Sequence, residues 1–99
     1  MNDIVVACVA EPDGGAWTCA VRVRDGESST DHEVVVDEID LPPQLDGADV
    51  PDVERLVEAS FRFLLEREPK ESILRRFDLA VIRRYFPDYP AEVGRYLTG

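Results

Sequence analysis

The sequence predicts an α+β domain: a three-stranded antiparallel meander, then one long helix and two to three short helices packed on one sheet face. Three observations carry this. Val53, Leu56, Val57, Ser60, Phe61, Leu64 and Leu65 recur at spacings of three and four, the period of one helical face. Residues 16–25, AWTCAVRVRD, alternate with period two, the mark of a half-buried strand. Turn dipeptides cut the first third of the chain, whereas prolines 51, 69, 87 and 90 cut the last half. Ninety-nine residues make a single domain, 1–99, with sheet in 1–38, a connection in 39–50 and helices in 51–99.

Residues 4–10, IVVACVA, form a short β-branched first strand. Asp13-Gly14-Gly15 is a turn signal, so the first two strands make a hairpin. With a four-residue loop from Pro12 to Gly15, Cys8 faces Cys19, Val6 faces Val21 and Ala10 faces Trp17. The second turn reads as Gly26-Glu27-Ser28-Ser29, with a third strand over 32–38. Its expected register pairs Arg24 with Asp31 and Arg22 with Glu33, and sets Val34 and Val36 opposite Val21 and Cys19. The first strand is apolar on both sides: Val5, Ala7 and Val9 point away from the helix. A bare apolar edge is a liability, so either another part of the chain covers it or two copies meet there as a homodimer.

Residues 39–48 connect sheet to helix, extended at Pro42-Pro43, with Leu41 and Leu45 tucked against the core. The long helix, 51–68, opens at Asp49 with Pro51 in the first turn and ends before Pro69. A short helix follows over 70–77 with Ile73, Leu74 and Phe77 inward, then one over 79–86 capped by Asp78. Pro90 opens a last turn or two, and Thr98-Gly99 frays.

The net charge of −10 lies in the first fifty residues, which carry two cations against twelve acids; the last forty-nine carry nine of each. Generic nucleic-acid binding by the whole chain is disfavoured, because the acidic half repels phosphate. The acidity reads first as a solubility device and second as a docking face for a basic partner. No apolar run reaches the length of a membrane span, and the first residues lack a cationic leader, so a cytoplasmic location is expected.

No catalytic, metal or nucleotide motif rises above background, and no cofactor is expected. Cys8 and Cys19 form no CxxC pair, and His32 is the one histidine, which makes a zinc site improbable. A Cys8–Cys19 disulfide is geometrically open, but without an export signal two buried thiols are the default. His32, between Asp31 and Glu33, reads as a tolerated residue at a strand start rather than a pH switch. Arg75-Arg76 and Arg83-Arg84 sit in a +3 stretch from Lys70 to Phe86, with the outline of a helix-turn-helix. They serve either as phosphate contacts or to neutralise the acidic half, and the second reading weighs more. Tyr85, Tyr89 and Tyr96 close the core or offer a contact surface.

Residues 61–90, FRFLLEREPKESILRRFDLAVIRRYFPDYP, resemble a group of small bacterial proteins that share FLLEREP, ESIL, FDL and RYFP and have no assigned activity. A weaker likeness is to antitoxin domains of the HicB type, which set a helix on a three-stranded sheet. Neither implies a mechanism. The expectation is a non-enzymatic interaction or regulatory module that binds an unidentified protein through its acidic sheet side and its exposed strand edge. A nucleic-acid regulator using Arg75, Arg76, Arg83 and Arg84 is the alternative.

Overall fold

The computed structural model describes residues 3–41 and 49–97. The expected positions of Pro42, Pro43, Leu45 and the last two residues lie outside that range. The α+β class holds, with one strand more than expected. Strands β1 (Asp3–Ala10), β2 (Ala16–Asp25) and β3 (Ser28–Asp37) form an antiparallel meander. A fourth, β4 (Arg76–Asp78), pairs parallel to β3, so the sheet is mixed with order β1-β2-β3-β4. The helices are α1 (Val50–Leu65), α2 (Ala80–Tyr85) and α3 (Tyr89–Leu97).

The first hairpin has the expected register: Cys8 opposes Cys19, Val6 opposes Val21 and Ala10 opposes Trp17. Gly14 and Gly15 both hold φ near +77°, where a side chain would be strained. The second hairpin is shifted by two residues from the expected register. Asp25 pairs with Ser28, leaving only Gly26 and Glu27 in the turn, and Gly26 takes a φ of 64°. A two-residue turn needs a positive φ, and glycine supplies it here. Arg22 therefore faces Asp31, at 2.9 Å, and Cys19, not Val21, faces Val34. Glu33 finds its cation on the other side, in Arg76 of β4 at 3.7 Å.

Helix α1 is the centre of the core. Asp49 accepts from the Asp52 N–H while the Asp52 carboxylate accepts from the Asp49 N–H, a reciprocal cap with Pro51 in the first turn. Leu56, Val57 and Phe61 are buried along with Val21, Val23, Val34 and Val36 of the sheet. Such residues each contribute about 1.5–3 kcal/mol on burial. Ala59 and Phe63 lie outside the predicted stripe yet are also buried. The reason is α3, which packs on α1 and turns a one-sided helix into a two-sided one. Phe63 meets Phe86, Tyr89 and Tyr96 edge-on, with centroids at 5.7, 5.3 and 6.5 Å. Arg67 lies 3.6 Å over the Phe63 ring and reaches Asp88 at 3.1 Å, tying the end of α1 to the turn before α3.

The stretch after Pro69 departs most from expectation. The predicted helix over 70–77 is a single 3-10 turn, Lys70–Ser72, followed by β4. Ile73 and Phe77 do point inward, but Leu74 is half exposed. Asp78 belongs to β4 and caps nothing; Leu79 stands at the start of α2 with no side-chain cap bond. Backbone bonds from Glu33 N–H to Arg75 C=O and from Leu79 N–H to Val35 C=O hold β4 in place. Parallel pairing with β3 satisfies groups that a helix would have used internally.

Candidate strand-edge and groove sites

Among the described residues, no element lies beyond β1, so one side of the sheet ends on an eight-residue strand. The Cys8 N–H donates to Glu54 Oε2 of α1 at 2.9 Å. It therefore points away from β2, and in an antiparallel ladder Ile4, Val6 and Ala10 share that direction. Val5, Ala7 and Val9 face outward, with Val5 61% and Val9 66% exposed. Ala20 lies beside Ala7, and half-buried Val35 stands in the row of Val9 with Thr18 between them. The outer face thus has two halves. The β1 half is aliphatic. Toward β4 the face turns polar: Arg22 of β2, opposite Val5, pairs with Asp31 of β3, and Arg76 of β4 pairs with Glu33. The Arg22 guanidinium holds the Asp31 carboxyl below its ordinary range, first through their hydrogen bond.

The arginine pairs do not form a helix-turn-helix. Arg75 immediately precedes β4 and Arg76 is its first residue, and Arg83 and Arg84 are exposed on the six-residue α2. A recognition helix needs two helices around a turn, and here one of them is a strand. Arg76 lies 3.7 Å from Glu33, an acid of the first half.

A groove of about 390 Å³ opens at the other side of the sheet, between the end of α1, β4 and α2. Leu64, Ile73, Leu74, Phe77, Val81 and Tyr85 are among its walls, and Glu68 and Ser72 are its polar members. Burial raises the Glu68 carboxyl above its usual range. Tyr85, 69% exposed, stands at the surface, whereas Tyr89 and Tyr96 close the core.

The cysteines and the histidine differ from their default readings. Cys8 and Cys19 are joined in a disulfide, with Cα atoms 4.0 Å apart, as direct opposition across a ladder allows. His32 is buried on the inner side of β3, not set loosely at a strand start. Its Nδ1 lies 2.8 Å from the Leu74 carbonyl and its Nε2 2.8 Å from the Thr30 hydroxyl. A carbonyl only accepts, so Nδ1 donates to Leu74, while Nε2 and the Thr30 hydroxyl share the second bond. The ring packs 5.3 Å from Phe61. His32 thus ties β3 to the segment entering β4. The one sequence signal for this role is its alternation in phase with Val34 and Val36.

Among the described residues, no group of three or more His, Cys, Asp or Glu is placed to hold a metal, and no helix is long and apolar enough to cross a membrane. No family model, curated protein or solved structure matches the chain.

Proposed function

We propose that the protein is a non-enzymatic interaction module whose binding element is strand β1. The observation that supports this reading is the coincidence, on one strand, of an edge with no further strand beyond it among the described residues and an exposed aliphatic row, Val5, Ala7 and Val9. A bare edge offers backbone donors and acceptors, and the aliphatic row offers area that gains by leaving water. Proteins blunt such edges with lysine, proline, inward charges or a covering helix or loop; β1 has no lysine or proline, and α1 reaches the edge through Glu54 at the Cys8 N–H.

The test compares the wild type with Val5→Lys/Val9→Lys and with a groove variant, Leu74→Lys/Tyr85→Lys. All four positions are exposed, so each variant keeps the wild-type melting temperature within a few degrees. Affinity capture and cross-linking from the native host should recover a discrete partner that β1 substitution removes and groove substitution does not. Loss through the groove variant alone, or equal capture by all three, overturns the reading. Where the module works turns on Cys8–Cys19. The expected cytoplasm keeps thiols reduced, whereas an oxidising compartment keeps the bond. Thiol trapping at the moment of cell lysis separates the two.

A further inference from the structure

We propose that β1 accepts, as a fifth strand, an extended partner segment in which lysine or arginine alternates with aliphatic residues. This rests on the reading of β1 as the binding element and adds the chemistry of what binds there. A strand added beside β1 would lie about 4.8 Å away, with side chains alternating between the two sheet faces. On the outer face its side chains flank Val5, Ala7 and Val9, which calls for aliphatic residues. On the inner side they enter a depression of about 320 Å³ between Val6 and the first turns of α1, lined also by Pro51, Glu54, Arg55 and Glu58.

The charges in that depression favour cations. Arg55 is already held, by the Leu97 carbonyl at 3.1 Å and Asp52 at 3.8 Å. Glu58 shares Arg62 at 3.6 Å, and Glu54 has only the Cys8 N–H among its described contacts. An incoming strand takes over that N–H with its own carbonyl. Glu54 is then released to meet a cation on the same strand, so neither group is left bare. A second copy fits the edge worse. Two-fold pairing of β1 with itself would bring each copy's Glu54 and Glu58 against the other's, a like-charge contact.

Four nine-residue peptides test this against the ¹⁵N-labelled full chain: alternating Lys-Val, alternating Thr-Val, alternating Glu-Val, and a scrambled peptide of the Lys-Val composition. The alternating Lys-Val peptide should shift the amide signals of Ile4, Val6, Cys8 and Ala10 and slow their hydrogen exchange. Its affinity should fall roughly threefold to tenfold in Glu54→Gln/Glu58→Gln, the scale of two exposed charge pairs. The Glu-Val peptide should not bind. Equal binding of the Thr-Val peptide, unmoved by the double variant, overturns the charge selection and leaves β1 as the binding element. Equal binding of the scrambled peptide, without protection of β1 amides, marks nonspecific attraction to an acidic chain and overturns the proposal. If no peptide binds while Val5→Lys/Val9→Lys still abolishes partner capture, strand addition fails and the aliphatic face alone docks the partner.

Discussion

Replacing Tyr89 by phenylalanine should destabilise the protein at neutral pH and stabilise it in strong alkali. Ser60, fully buried in α1, hydrogen-bonds the Leu56 carbonyl at 2.8 Å and the Tyr89 hydroxyl at 2.6 Å. The carbonyl accepts the Ser60 proton, so Tyr89 donates to Ser60 Oγ. Removing the phenol oxygen forfeits one buried hydrogen bond, which costs about 0.5–1.5 kcal/mol. Alkali reverses the sign. Burial pushes the Tyr89 hydroxyl up to about 12, against about 10 in an unfolded chain. A raised value means the folded state holds the proton longer. The contribution is complete below pH 10 and is lost as pH rises toward 12, a total of roughly 2–3 kcal/mol. Phenylalanine has no proton to lose. The two stability curves should therefore cross near pH ~11, where about 1.4 kcal/mol of the wild-type contribution is gone. Urea denaturation followed by Trp17 fluorescence, at half-unit steps from pH 7 to 12, reads this directly. Curves that stay parallel throughout would refute the buried, proton-holding Tyr89.

Three further outcomes follow from the same core. Joining residues eleven apart, the Cys8–Cys19 bond should contribute about 3 kcal/mol by restricting the unfolded chain, so dithiothreitol or Cys8→Ala/Cys19→Ala should lower the urea midpoint accordingly. Intact mass before and after alkylation gives the thiol count; two free thiols in oxidised protein would contradict the bond. His32→Phe keeps a ring against Phe61 but strands the Leu74 carbonyl and the Thr30 hydroxyl, at about 1–3 kcal/mol. Its stability loss should come with faster exchange of β4 amides, and unchanged exchange there would break the link drawn between His32 and β4. Asp49→Ala should cost about 1 kcal/mol through the α1 cap, and Asp49→Asn much less, both seen in thermal melts.

What the sequence revealed, and what it hid, follows from how far each signal reaches. The first hairpin was legible because its loop and its alternation agree on a single register, Val6 with Val21 and Cys8 with Cys19. Helix α1 was legible because its apolar period, its Asp49 cap and Pro51 all mark the same start. The register of the second hairpin is hidden because Ser28 and Ser29 look like turn residues, whereas Gly26 alone suffices for the bend. Strand β4 was hidden because three residues are too few to show a period, and Ile73, Leu74 and Phe77 imitate a helical spacing. Burial of Phe63 and Ala59 was hidden because it depends on where α3 comes to rest, which no local pattern encodes. At the candidate site, the aliphatic outward row of β1 was plain in the alternation. The approach of Glu54 to Cys8, forty-six positions away, was not.

The parallel join of β4 to β3 also bears on how the chain comes to be made. As it is synthesised, the meander emerges first with Val34 and Val36 uncovered, because the helix that shelters them comes next and the strand that flanks them comes later still. The sheet is finished only after residues past Leu79 have left the ribosome, when the Val35 carbonyl meets its amide. The N-terminal ribbon is therefore not an autonomous piece with helices added on. A nascent chain halted before Phe77 would leave the β3 edge uncovered as well, and would depend on a chaperone or a quick resumption of translation to stay out of aggregates.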